Sequence, residues 1–146
     1  MAERPAHLVY DEQNIFARIL RGELPCHKVM EDERTFAFMD IMPMTRGHVL
    51  VLPKARATTI YDIEAAELVT LVNTVQRVAR AAKQALAADG VTIQQFNEPA
   101  GGQTVFHMHV HVLPRWTGVP LRAHSGEPED PAVLDGLAEQ IRQALV

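Results

Sequence analysis

Hydrophobic residues recur along the chain at two different spacings, which separate predicted helices from predicted strands. Over 63–88 they return every three or four residues, and this predicts one long amphipathic helix. Gly90 follows where a C-terminal cap is expected. The same spacing predicts a short helix over 15–20, ended by Gly22, and a last helix that starts at Asp130. The apolar stripe of the long helix consists of Leu68, Leu71, Val72, Val75, Val78, Ala79, Ala82 and Leu86.

Five shorter segments have the composition and spacing of strands. Residues 29–31 and 35–40 flank a polar turn and predict a hairpin, and the apolar run 48–52 predicts a buried strand. Residues 91–97 and 105–113 predict two more strands, joined by a turn that contains two glycines. Because the strands cluster and do not alternate with helices, we expect an α+β domain with a five-stranded antiparallel sheet.

Length, charge and cysteine content narrow the class of protein. The 146 residues fit one domain over 1–146, and 47% hydrophobic residues supply enough apolar material for its core. A net charge of -4 argues against electrostatic binding to nucleic acid. The single cysteine, Cys26, excludes an internal disulfide, and we interpret it as a small, inert side chain. Without an apolar run long enough for a membrane span or signal peptide, we expect a cytoplasmic protein that binds no membrane.

Three histidines alternate with apolar residues in the last predicted strand. Side chains alternate along a strand, so His107, His109 and His111 are expected on one face. Three interpretations follow: a solvated face, part of a zinc site, or a nucleophile supported by two neighbouring rings. Zinc is disfavoured because the outer two backbones are about 13 Å apart in a strand. The preceding residues 101–104, Gly-Gly-Gln-Thr, suit a phosphate and favour the nucleophile.

The chain also resembles a known family. The segment 102–115, with sequence GQTVFHMHVHVLPR, resembles the signature of the histidine triad family of nucleotide hydrolases and transferases. Segments 14–19, 38–43 and 47–54 resemble the other motifs of that family in the same order. The resemblance covers most of the chain and implies a histidine triad fold, a homodimer and a purine nucleotide as substrate.

The resemblance implies a role for each residue of the histidine segment. His109, the middle histidine, would attack the α-phosphorus of a nucleotide and form a nucleotidyl-histidine, which water then hydrolyses. His111 would contact the phosphate, and His107 would fix the geometry of the site. Thr104 would supply a hydroxyl to the leaving group, and the backbone amides of Thr104 and Val105 would stabilise charge on the phosphoryl group.

Other positions match nucleotide-binding residues of the family. Gln103 and Asn97 match amides on the phosphate side, and Asp40 matches the carboxylate that holds the ribose hydroxyls. His48 matches a histidine before the third strand whose role is open between function and structure. The apolar pocket for the base is matched by Ile15, Phe16, Phe38 and Ile41, although their spacing alone fits a core equally well.

The sequence departs from the family pattern at a structural zinc site. Some relatives bind zinc through two cysteines of the first helix, a histidine after the third strand and the first histidine of the triad. Asn14, Ala17 and Arg56 stand at the first three of these positions, so His107 lacks the other ligands. We therefore expect no metal and no required cofactor, with Mg²⁺ only as a companion of a polyphosphate substrate. The role of Arg56 is open.

The expected function is hydrolysis at the α-phosphate of a purine nucleoside phosphoramidate or a dinucleoside polyphosphate. Two alternatives stay open at this point. One is a module that binds a nucleotide or a partner with little turnover, and the other is a zinc-dependent hydrolase that uses the histidine cluster.

Overall fold

The computed structural model describes residues 9–123 and 126–146. Over these ranges the helices are α1 (Ile15–Leu20), α2 (Ala65–Ala85) and α3 (Pro131–Ala144). The strands are β1 (Lys28–Glu31), β2 (Thr35–Met39), β3 (Val49–Pro53), β4 (Gly90–Gln94) and β5 (Val110–Arg115). The strands form one sheet in the order β1-β2-β3-β5-β4, and each neighbouring pair is antiparallel. The predicted α+β class and five-stranded antiparallel sheet are confirmed.

The two faces of the sheet pack against different helices. β3 sends Val49 and Val51 into a core shared with α2 and α3, because side chains alternate along a strand. Its other side chains, Leu50 and Leu52, join a smaller cluster with Phe16 and with residues of α1 and β2. The second face, under the short helix α1, carries the candidate site.

The ends of the helices follow capping rules, with one correction. The Asn14 side chain accepts from the amide of Ala17 to start α1, and Asp130 caps α3 as predicted. The prediction that Gly90 caps α2 is wrong, because Gly90 is already the first residue of β4. The C-cap is instead Leu86, and the next residue, Ala87, takes the left-handed position with a φ of 50°. The amides of Ala87 and Ala88 close the helix on the carbonyls of Gln84 and Lys83, as in a Schellman motif.

The predicted strand over 105–113 is wrong in its first half. β5 begins at Val110, because β3 pairs with it only from Val110 to Val112 and β4 only from His111 onward. The chain over 105–109 is therefore irregular, although alternation persists and places Met108 in the larger core. Within the described residues, no helix has the length and hydropathy required to span a membrane.

Candidate functional site

A cavity of about 350 Å³ opens on the face of the sheet that carries α1. Its size and mostly apolar lining are typical of small-molecule sites. Its polar side chains are Asp40, Thr104, His109 and His111. Its apolar lining includes the predicted residues Ile15, Phe16, Phe38, Ile41 and Val105. The structure thus brings nine of the predicted site residues together around one space, and leaves His107, Gln103 and Asn97 outside its lining.

His109 is held in a single ring orientation at the cavity wall. Its Nδ1 lies 2.6 Å from the carbonyl oxygen of His107, and a carbonyl only accepts hydrogen bonds. Nδ1 therefore carries the proton of the neutral ring, which puts the lone pair on Nε2. The ring also packs edge-on against Phe16, with centroids 4.8 Å apart. This arrangement gives the cavity an oriented basic nitrogen, as a nucleophile requires.

His111 adopts the tautomer opposite to that of His109, because of its hydrogen bond with His48. The amide of Met44 donates to His48 Nδ1 over 3.1 Å, so neutral His48 carries its proton on Nε2. That proton is donated to His111 Nδ1, 2.9 Å away, which leaves the proton of neutral His111 on Nε2. The centroids of the His109 and His111 rings are 5.1 Å apart. The two rings therefore lie side by side in the cavity lining with opposite tautomers, protonated on Nδ1 in His109 and on Nε2 in His111.

His107 lies outside the cavity lining and is fully buried. Its Nε2–H donates to the carbonyl oxygen of Pro53 over 2.8 Å, and its Nδ1 accepts from the hydroxyl of Tyr10 over 2.7 Å. Burial, which removes water from the charged form, lowers the pKa of His107 from 6.5 to about 4. The ring is consequently neutral near pH 7, while the backbone carbonyl of the same residue orients His109.

Asp40 is buried directly after β2 and lines the cavity. Its Oδ1 accepts from the amide of Met42 over 2.8 Å, and its Oδ2 lies 3.6 Å from His48 Nε2. A carboxylate oxygen accepts more than one hydrogen bond. Asp40 is therefore placed to accept from hydroxyl groups of a ligand in the cavity.

Gln103 and Asn97 support the turn before the histidine segment. The side-chain amide of Gln103 donates to the carbonyls of Thr58 and Val105 at 2.7 and 3.0 Å, and its oxygen accepts from the backbone amide of Glu98 at 2.8 Å.

The side-chain oxygen of Asn97 accepts from the backbone amide of Ile60. The side chains of Asn97 and Gln95 also exchange two hydrogen bonds. These contacts connect the turn to the chain after β3, and the contact of both residues with phosphate stays a prediction.

Sequence reasoning missed part of the cavity wall and the partner of His107. Cys26, interpreted as inert, is half-buried in the wall, and burial raises the pKa of its thiol. Tyr10 precedes the first predicted helix, where no periodic pattern indicated a contact 97 residues away. The further wall residues without an assigned role were Ile19, Leu24, Pro25, Met39, Met42 and Leu50.

Two groups of side chains lie where a metal ion could be expected. At the zinc position implied by the resemblance, Asn14 caps α1, Arg56 pairs with Glu12 and the Tyr10 hydroxyl lies on His107 Nδ1. These groups do not fit zinc, because a structural zinc site takes four nitrogen, sulfur or carboxylate ligands.

A second candidate is the group formed by Asp40, His48 and His111. Their donor atoms lie within 4.8 Å of one another. The Met44 amide, however, favours the His48 tautomer that carries its proton on Nε2, the nitrogen nearest to His111 and Asp40. A metal ion there would need His48 Nε2 without its proton. The observed hydrogen bonds therefore favour a protonated His48 Nε2 over metal ligation.

Comparisons with known proteins agree with this architecture. The HIT domain model matches residues 21–118. A Hit-like protein from Bartonella henselae has a similar structure, with a TM-score of 0.90, 43% identity and coverage of 93% of this chain and 98% of that one. A zinc-bound histidine triad protein from Mycobacterium smegmatis gives a TM-score of 0.80 at 35% identity, covering 90% and 92% of the two chains. The adenylylsulfatase HINT3 of Arabidopsis thaliana is 32% identical over 117 residues, which are 76% of this chain and 59% of that protein. The chain belongs to the histidine triad (HIT) family.

Proposed function

We propose that the protein is a nucleotide hydrolase that attacks the α-phosphate of purine nucleoside phosphoramidates or dinucleoside polyphosphates through a covalent nucleotidyl-His109. The observation that carries this proposal is the hydrogen bond from His109 Nδ1 to the carbonyl of His107. It places the lone pair of a buried imidazole on Nε2, in a ring that lines a cavity with a carboxylate and a hydroxyl.

In the first step, the Nε2 lone pair of His109 forms a bond to the α-phosphorus. The bond to the leaving nitrogen or bridging oxygen breaks, and its electron pair departs with the leaving group, which takes a proton from water at the cavity mouth. The hydroxyl of Thr104 supports this group by hydrogen bonding. The attacking ring becomes positively charged, and the His107 carbonyl on its Nδ1–H stabilises that charge.

In the second step, water attacks the same phosphorus, the bond to Nε2 breaks, and the electron pair returns to His109. The water releases one proton to solvent, and the nucleoside monophosphate leaves. The Nε2–H of His111 donates to a phosphate oxygen in both steps, because the Met44–His48 hydrogen bonds keep its proton on that nitrogen. Two displacements replace one difficult direct attack by water.

The apolar part of the cavity suits a nucleobase, and Asp40 suits the ribose hydroxyls. One relative is named as an adenylylsulfatase, so adenylyl sulfate joins the candidate substrates. Like the other two, adenylyl sulfate carries a leaving group on the α-phosphate of a nucleotide. Adenosine phosphoramidate, diadenosine polyphosphate with Mg²⁺ and adenylyl sulfate are therefore the three substrates to compare.

The proposal is tested with His109→Ala. Hydrolysis of the best of the three substrates is expected to fall at least about a thousandfold, because the nucleophile is removed. Binding of adenosine monophosphate, measured by calorimetry, is expected to persist. The matched control is His27→Ala, a histidine that pairs with Asp135 of α3 and does not line the cavity. Unchanged turnover by His109→Ala would refute the proposed mechanism.

The same assays separate the two alternatives. A binding module with little turnover predicts nucleotide affinity without hydrolysis of any of the three substrates by the unaltered protein. A zinc-dependent hydrolase predicts one zinc per chain by elemental analysis and loss of activity with a chelator. The proposed mechanism predicts hydrolysis that a chelator leaves intact when a phosphoramidate is the substrate.

A homodimer is part of the same proposal. Val69 and Val72 on α2 are exposed, as is Ile93 on β4, the strand at one end of the sheet. A second copy that covered these side chains would remove apolar surface from water. Sedimentation equilibrium is expected to give twice the mass of the chain, and a monomer at assay concentration would contradict this part.

A further inference from the structure

Tyr10 makes a partly buried polar contact that the proposed reaction does not use directly. Its hydroxyl lies 2.7 Å from His107 Nδ1, and the two rings meet edge-on with centroids 5.7 Å apart. His107 Nε2 already donates to the Pro53 carbonyl, so Nδ1 is the accepting nitrogen and the tyrosine hydroxyl is the donor. Both nitrogens of the His107 ring thus have an assigned role, Nε2–H as donor and Nδ1 as acceptor.

The contact extends to the proposed nucleophile. Tyr10 and Pro53 hold the His107 side chain from opposite edges, and the carbonyl of His107 accepts from His109 Nδ1 over 2.6 Å. A shift of His107 would move the group that fixes the tautomer and orientation of His109. The Tyr10 hydroxyl is therefore connected to the cavity through His107 and His109.

Tyr10 also contacts the surface residue Arg56. The Arg56 guanidinium lies over the tyrosine ring, 5.5 Å from its centroid, and pairs with Glu12. The Arg56 side chain is 69% exposed, so these contacts are screened by water and contribute little each. They nevertheless settle where Arg56 lies: against the segment before α1, and outside the lining of the cavity.

We propose that Tyr10 is a positioning residue for His109, and that its hydroxyl occupies the place on His107 that zinc would occupy in a metal-containing relative. The clamp, defined as Tyr10, His107 and Pro53, acts on His109 through hydrogen bonds and needs no metal ion. Its catalytic consequence rests on the proposed function, whereas its effect on the histidine rings does not.

The test compares Tyr10→Phe with Tyr61→Phe, since Tyr61 is the other tyrosine of the chain and is 68% exposed. Nitrogen-15 spectra of the histidine rings are recorded for the unaltered protein and both variants. In the unaltered protein we expect His107 to be protonated on Nε2 and His109 on Nδ1. Tyr10→Phe is expected to change both ring signals and to mix the tautomers of His109, and Tyr61→Phe to leave them in place.

Kinetics and metal addition complete the test. Because Tyr10 does not line the cavity, kcat of Tyr10→Phe is expected to fall about tenfold while affinity for adenosine monophosphate stays within twofold. Zinc ions added to the unaltered protein are expected to leave the His107 signals unmoved. Tyr10→Phe is expected to behave in the same way, because the other three positions of the zinc site still hold residues that do not fit zinc.

Each outcome has a defined meaning. Unchanged His109 tautomers together with unchanged kcat in Tyr10→Phe would overturn the proposal. If the variant does not fold, the unaltered protein decides alone, because protonation of His107 on Nδ1 or a zinc-induced shift of its signals would refute the clamp. If the unaltered protein hydrolyses none of the substrates, the proposed function fails, and the ring spectra still test the clamp.

Discussion

Acidification should expose the energetic cost of the buried imidazole of His107. Burial lowers the pKa of this ring to about 4, from the ordinary 6.5 that it regains in the unfolded chain. The unfolded chain therefore binds the proton more readily than the folded one. The contribution of His107 to stability is complete above pH 6.5 and is lost as the pH falls towards 4.

The two pKa values set the size of the effect. Each unit of difference corresponds to about 1.4 kcal/mol, and the difference is about 2.5 units. Between pH 7.5 and 4.5, binding of one proton to the unfolded chain should lower the free energy of unfolding by about 2.5 kcal/mol. The remaining part of the loss falls below pH 4.5.

Urea denaturation at several pH values measures this loss of stability. The variant His107→Gln separates the contribution of His107 from the contribution of the titrating carboxylates. Both proteins share their other titrating groups, so the difference between their pH dependences isolates His107. We expect the unaltered protein to lose about 2.5 kcal/mol more than the variant over this range. A difference below about 0.5 kcal/mol would refute the assignment of a buried, neutral ring.

Three further outcomes are expected. Ala87→Gly should raise the free energy of unfolding by about 1 kcal/mol in urea denaturation, because glycine adopts the φ of 50° without strain; no gain would contradict the cap. Gly47→Ala should lower it by roughly 2 kcal/mol, since the new Cβ would lie 2.3 Å from Cδ1 of the buried Leu86 at a φ of 83°; a neutral substitution would contradict the packing at this turn. Asp40→Asn should weaken binding of adenosine monophosphate about tenfold and leave binding of its 2′,3′-dideoxy analogue unchanged, because Asp40 would accept from the ribose hydroxyls; equal losses for both ligands would argue against that contact.

The sequence was sufficient for the elements whose periodicity reflects one buried face. Packing against neighbours explains the apolar run of β3 and the stripe of α2 except for Val72, which is exposed. The bounds of both elements are confirmed within a few residues. Alternation around His109 and His111 also predicted correctly that their rings lie together. It could not show that pairing begins only at Val110, because alternation is the same in any extended chain while a strand also requires a hydrogen-bonded neighbour.

The site depends on contacts between residues far apart in the chain, which local patterns do not encode. The partnership of Tyr10 with His107 spans 97 residues, and that of His48 with His111 spans 63. The three histidines also differ in role although their spacing is uniform. His107 faces protein groups on both ring nitrogens, whereas His109 and His111 line the cavity, and this distinction depends on which elements surround each ring.

The covalent intermediate is the central claim, and intact-mass analysis after rapid mixing tests it directly. The protein is mixed briefly with adenosine phosphoramidate and quenched under conditions that preserve acid-labile bonds between phosphorus and nitrogen. The account predicts a transient mass increase of one adenylyl group, localised to His109 and missing in His109→Ala. Turnover with no adduct on the millisecond scale, or an adduct on another residue, would contradict it.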